Sequence, residues 1–174
     1  MDDLFSNNEP VWLQQARHLL GTLESPGTTN NAAILDWARQ EGGWIERFYT
    51  ADSIPWCGLF VGHCLLNAGI SGPKNPLSAL AWADWGDEVP FSEREAGCVL
   101  VFTRQGGGHV GFYAGEDADG SALHVLGGNQ SDAVSITRIA IDRLHAVRWP
   151  VGLARRKSGL LMQSLSTSLS GNEA

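Results

Sequence analysis

The sequence predicts an α+β domain in which N-terminal helices pack on a small antiparallel sheet. Three observations predict it. Apolar residues recur at helical spacing through the first half of the chain, and short β-rich runs separated by Gly-, Asp- and Asn-containing turns fill the second half. The change falls near Pro90, and helices followed by strands is the order of an α+β domain. The chain has 174 residues, one domain's worth, and such a length buries about 70% of its unfolded surface. A single domain is expected over 1–154, followed by a Ser-rich stretch, 155–174, expected to be a mobile tail in which Leu160, Leu161 and Met162 have the apolar character to dock.

The elements follow in order. Asn8 is placed to cap a helix over Glu9 to Leu20, with Pro10 in its first turn and Val11, Trp12, Ala16, Leu19 and Leu20 on its apolar side. Glu24-Ser25-Pro26-Gly27 reads as a turn. Asn30-Asn31 opens a second helix carrying Ile34, Leu35 and Ala38 and stopped by Gly42-Gly43. A third helix runs from Pro55 to Ala68, and a helical turn spans Ser78 to Trp85. Strands are expected at Cys98–Phe102, His109–Ala114, Ala122–Leu126, Val134–Ile141 and Ala146–Val151.

The third helix organises the rest. Within Asp52-Ser53-Ile54-Pro55-Trp56-Cys57-Gly58-Leu59-Phe60-Val61, the proline suits a first helical turn. Cys57, Phe60, Val61, Cys64, Leu65 and Ala68 then fall on one helical face. Cys57 therefore sits at the positive end of a buried helix. Such a site, often with a neighbouring His, lowers a thiol pKa from about 8.5 into roughly the 3.5 to 7.5 range. The plainer reading, a small buried hydrophobe, suits Cys64 better than Cys57. Gly106-Gly107-Gly108-His109-Val110-Gly111-Phe112-Tyr113 supplies the partner, a His opening a strand after a glycine loop.

Composition narrows the function. The net charge is −7 and no basic run exceeds Arg155-Arg156-Lys157, so the electrostatic footprint of a nucleic-acid binder is missing. No apolar run reaches membrane-spanning length and no Sec-type leader opens the chain, so synthesis in the cytoplasm without membrane insertion is expected. Three cysteines make no disulfide framework. A zinc site from Cys57, Cys64, Cys98, His63 and His109 is not expected, because no C-x-x-C pair exists.

The Pro-Trp-Cys-Gly-Leu-Phe-Val helix, the Gly-Gly-His-Val-Gly-Phe-Tyr strand and the Leu-Gly-Gly-Asn-Gln-Ser segment resemble the CHAP domains (cysteine, histidine-dependent amidohydrolase/peptidases). They also resemble the neighbouring NlpC-type peptidases of the papain-like superfamily. Glu24-Ser25-Pro26-Gly27 with Asn30 and Ile34 is similar to one CHAP-like subgroup common in phage and prophage genes. The resemblance spans about Leu13 to Val151. It implies a cofactor-free peptidoglycan hydrolase, an amidase or endopeptidase of the wall peptide, with Cys57 as nucleophile and His109 as base. It also implies delivery to the wall by a route other than Sec, as for an endolysin, a secretion-system effector with an immunity protein, or a phage-tail hydrolase. A non-catalytic wall-binding or tail-associated module on the same scaffold is the competing expectation.

The group that orients the His109 imidazole stays open between Asn129 and His124. A hairpin folding about Ala118 sets His124 across from Phe112 and Asn129 two residues from His109 on its face. CHAP domains commonly use Asn or Glu here; Asn129 matches the Asn, while Gly127 stands where some members carry the Glu. NlpC-type relatives often carry a His on this strand, which keeps His124 in play. Asp52 is a candidate accessory group that holds the start of the helix or meets the substrate amine. His63 is expected at the surface or a sheet edge, and the backbone N–H of Cys57 as a donor to the oxyanion.

Overall fold

The computed structural model describes residues 5–6, 9–156, 167–171 and 173. β1 (Phe5–Ser6) and β2 (Glu9–Pro10) form a two-stranded ribbon ahead of α1 (Val11–His18). There follow α2 (Ala32–Glu41), α3 (Gly43–Phe48), α4 (Cys57–Leu66) and a 3-10 helix, Ala79–Asp84. The remainder builds a sheet from β3 (Asp87–Glu88), β4 (Val99–Arg104), β5 (Gly107–Glu116), β6 (Ala122–Gly127), β7 (Ser135–Ala140) and β8 (Leu144–Trp149). Its six strands run in the order β3-β8-β4-β5-β6-β7 with every pairing antiparallel. The protein is thus α+β. Among the described residues no helix is long and apolar enough to cross a membrane.

Local chemistry sets the helix limits. Pro10, extended at φ −66 and ψ 149, caps α1, so this helix begins two residues later than the Glu9 expected; Asn8 lies outside the described residues. The Asn31 side chain accepts from the Ala33 N–H and opens α2. Gly42, at φ 69, ends α2 as expected but also starts α3, an element the Gly-Gly pair conceals in the sequence.

The periodic face along α4 captures only part of its burial, because every residue from Cys57 to Leu65 is buried. α1 and α2 pack on this helix, as do β5, β6 and the 3-10 helix. Gly58 permits the close approach of the Pro76 loop, since a Cβ there would stand 1.9 Å from the Pro76 carbonyl oxygen. His63 is inside the core and not at the surface. It stacks on Trp37 with ring centroids 5.0 Å apart and its Nδ1 is 2.9 Å from Gln40 Oε1. Burial pushes its pKa down to about 4.

The tail is described only in part. Leu160, Leu161 and Met162 lie outside the described residues. Leu169, expected within a mobile stretch, instead pairs in parallel with Arg138, whose carbonyl accepts from the Ser170 N–H at 2.8 Å.

Candidate active site

Cys57 begins α4, as the sequence leads one to expect, and its residue is only 5% exposed. Asp52 holds the approach to it. One carboxylate oxygen accepts from the backbone N–H groups of Ser25 at 2.8 Å and Asn31 at 2.7 Å, and the Asp52 N–H donates to Asn30 Oδ1 at 3.1 Å. Of the two roles expected for Asp52, its contacts show the first, fastening the 24–31 turn to the start of α4. Trp56, the residue before Cys57, donates its indole N–H to Glu24 at 3.1 Å and so adds a second tie to that turn.

The thiol differs from the expectation of a lowered pKa. Burial pushes it up, and the N–H groups of Val110 and Gly58, with the Arg104 charge, oppose that rise without cancelling it. A helix N-terminus stabilises a thiolate only to the extent that desolvation leaves it room to do so. The other two cysteines are buried core residues, with Cys64 pushed well above its usual value and Cys98 up to about 12, burial being the main cause in each.

His109 is fully buried on β5, where its ring stacks near Phe102, the residue paired with it on β4. Its Nε2 lies 3.0 Å from Gln130 Oε1. The Gln130 amide nitrogen donates to the carbonyls of Val125 at 3.2 Å and Ser135 at 2.6 Å. That fixes which end of the amide faces the ring. The oxygen can only accept, so His109 donates from Nε2 and the neutral ring carries its lone pair on Nδ1. Among the described residues Nδ1 has no hydrogen-bond partner. Burial, helped by the Arg104 charge, lowers the His109 pKa to about 4, against the raising effects of the Gln130 side chain and of the Glu173 charge and backbone carbonyl, the latter too poorly placed to count as a hydrogen bond to Nδ1.

The orienting contact therefore belongs to Gln130, and neither expected candidate makes it. The observed register pairs Phe112 with Leu126 and Tyr113 with Val125; continued straight, it would set Asn129 across from His109. However, β6 ends at Gly127, and Asn129 adopts a left-handed backbone with φ 57. The alternation breaks there and Gln130 turns in. Asn129 is buried, and its Oδ1 has no partner among the described residues. His124 pairs with Gly115, not Phe112, because the register shifts between Tyr113 and Gly115. Its Nε2 bonds Asp117 at 2.8 Å at the far end of the hairpin.

The glycines of the Gly-Gly-Asn-Gln segment make this arrangement possible. A Cβ at Gly127 would stand 2.7 Å from Gln130 Oε1 and 3.2 Å from His109 Nε2, and one at Gly128 would stand 2.6 Å from the Phe60 Cβ. Their lack of side chains is the one signal in the sequence that this end of β6 serves as a close contact.

The structure thus brings Cys57 toward the strand of His109, where the N–H of Val110, the residue after His109, acts to stabilise the sulfur. No hydrogen bond joins Cys57 to His109, since Nδ1 has no partner among the described residues and Nε2 is held by Gln130. Two further residues, absent from the sequence expectations, bear on this place: Glu173 is near enough to act on His109, and Arg143 holds Glu173. Glu173 is 1% exposed and its carboxylate is held at 2.9 Å by both terminal nitrogens of Arg143. No sequence pattern links residues so far apart. Comparison with models of known protein families and with curated proteins found no match to this chain.

Proposed function

We propose that the protein is a cysteine amidohydrolase or peptidase that cleaves an amide bond of the peptidoglycan peptide on a papain-like scaffold of the CHAP and NlpC kind. The observation that carries this reading is the tautomer of His109. Gln130 occupies Nε2 and leaves a lone pair on Nδ1, on the strand residue next to the one whose N–H acts to stabilise the Cys57 sulfur. A helix-borne cysteine followed by a strand-borne histidine with an amide behind it is the arrangement that activates a thiol.

In this mechanism Nδ1 takes the Cys57 proton as the sulfur attacks the carbonyl carbon. The backbone N–H of Cys57 donates to the resulting oxyanion. Collapse breaks the C–N bond, and the imidazolium returns its proton to the leaving amine. Water, deprotonated by the same nitrogen, then attacks the thioester, giving the carboxylic acid and the free thiol. Burial favours the neutral forms of both groups, so proton transfer accompanies attack and the enzyme does not begin from a standing thiolate–imidazolium pair.

A binding or tail-associated module on the same scaffold is the second reading, and the lack of a Cys57–His109 hydrogen bond among the described residues favours it. Purified muropeptides incubated with wild type and Cys57→Ala, then read by mass spectrometry, separate the two. Hydrolysis by wild type alone supports the enzyme, with free stem peptides marking an amidase and shortened peptides an endopeptidase. Equal inactivity of both proteins, with binding retained, supports the module. On either reading the chain meets its target at the wall.

A further inference from the structure

Arg143 ends the 3-10 turn Ile141–Arg143 between β7 and β8. Its Nε donates to the Thr103 carbonyl at 3.3 Å, while its own carbonyl accepts from Thr103 Oγ1 at 3.5 Å. This ties it to β4 one residue beyond Phe102, the partner of His109. Its two terminal nitrogens face the other way and hold the two oxygens of Glu173, each at 2.9 Å. One of them also donates to the Ser170 carbonyl at 3.3 Å.

A glutamate is seldom buried unless it is paired. Burial raises the Glu173 carboxyl, and the hydrogen bonds from Arg143 and Ser170 with the Arg143 charge outweigh that, so the group is held as an anion. The Glu173 carboxylate, close enough to His109 for the two to interact electrostatically, therefore occupies a place built for a carboxylate. The guanidinium fork matches two carboxylate oxygens, whereas a carboxamide would turn an N–H group toward it.

We infer that Arg143 forms a carboxylate subsite of the His109 site, and that Glu173 fills this subsite in cis where a substrate carboxylate would bind. The inference rests on the hydrolase reading for the identity of the substrate, and it narrows that substrate to a wall peptide with a free carboxylate beside the scissile amide. Such a peptide displaces Glu173, while one whose carboxylate is amidated does not. The same contact makes Glu173 a competitor for the site.

The test uses the full chain and two alkylating agents of the same size, anionic iodoacetate and neutral iodoacetamide, with modification of Cys57 followed by mass spectrometry at pH about 8, where thiols begin to ionise. Relative to wild type, Glu173→Gln is expected to raise the iodoacetate to iodoacetamide rate ratio about tenfold, the order expected of one charge-assisted bidentate pair. Glu173→Gln combined with Arg143→Gln is expected to return the ratio to the wild-type value. An unchanged ratio in a cooperatively melting Glu173→Gln protein overturns the inference. Should the double variant not fold, protection of Cys57 by acetate but not acetamide in Glu173→Gln supports the subsite, and equal protection overturns it. Paired muropeptides carrying D-isoglutamate or D-isoglutamine separate this inference from the hydrolase reading. Cleavage of both at equal rates removes the subsite and keeps the enzyme; a charge-selective alkylation ratio without cleavage of either keeps the subsite and removes the enzyme.

Discussion

Gln130 Oε1 accepts a hydrogen bond from His109 Nε2 at 3.0 Å, and the same amide is anchored through its nitrogen to the carbonyls of Val125 and Ser135. The imidazole thus inherits its orientation from the end of β6. Gln130→Ala removes that restraint and orphans buried acceptors, at a cost of about 1 to 3 kcal/mol in stability. The turnover of muropeptides is expected to fall by roughly 5- to 150-fold, the same range expressed as a rate. Asn129→Ala and His124→Ala make the contrast. Neither touches the ring, so both are expected to keep near wild-type kcat, and a rate loss confined to Asn129→Ala would return the orienting role to that residue.

Gly127→Ala tests the same contact from the other side. The added methyl would meet Gln130 Oε1 at 2.7 Å and His109 Nε2 at 3.2 Å, so the amide must back away from the ring. The outcome expected is a kcat loss comparable to that of Gln130→Ala, with KM little changed. Gly106→Ala is the control. A Cβ at that glycine would meet no atom within 4 Å, but the residue adopts φ +81, so the cost falls on stability and not on the ring.

The helix of Cys57 and the strand of His109 are legible in the sequence because each is a continuous stretch with its own periodicity and its own start signal. Gln130 is not, because choosing it over Asn129 depends on where β6 stops and on the backbone angle at residue 129, which no alternation pattern encodes. His124 is misplaced in the sequence reading for a related reason: one irregularity between Tyr113 and Gly115 moves it relative to β5. The Cys57 thiol is a different case. The helix N-terminus is visible in the sequence, but the depth of burial that outweighs it depends on the packing of α4 against distant elements. Arg143 and Glu173 meet across 30 positions, with no local pattern to announce them.

Asp52→Ala is expected to leave two half-buried backbone donors, Ser25 N–H and Asn31 N–H, without their acceptor. The loss of stability is about 1 to 3 kcal/mol per group so orphaned, less where water reaches it. Chemical denaturation measures that loss. If Asp52 instead meets the substrate amine, Asp52→Asn raises KM while stability stays near wild type; the contacts observed point to a stability loss with KM unchanged.

Acid sensitivity follows from two of the three buried histidines, His63 and His109. Both His63 and His109 have pKa values lowered to about 4, with burial as the first cause, whereas an unfolded histidine titrates near 6.5. Above pH about 6.5 both states are neutral at these positions and nothing is lost. As pH falls from about 6.5 toward 4 the unfolded chain takes up protons that the folded one refuses at these two positions, so their contribution to stability declines over that window and levels off below it. Each histidine is worth up to about 3 kcal/mol of that decline. Urea unfolding followed across this range is expected to show a slope near two protons. His63→Phe, which keeps a ring against Trp37 but cannot titrate, is expected to reduce the slope to about one. A slope unchanged by His63→Phe would mean that His63 is protonated inside the fold, contrary to its packing on Trp37.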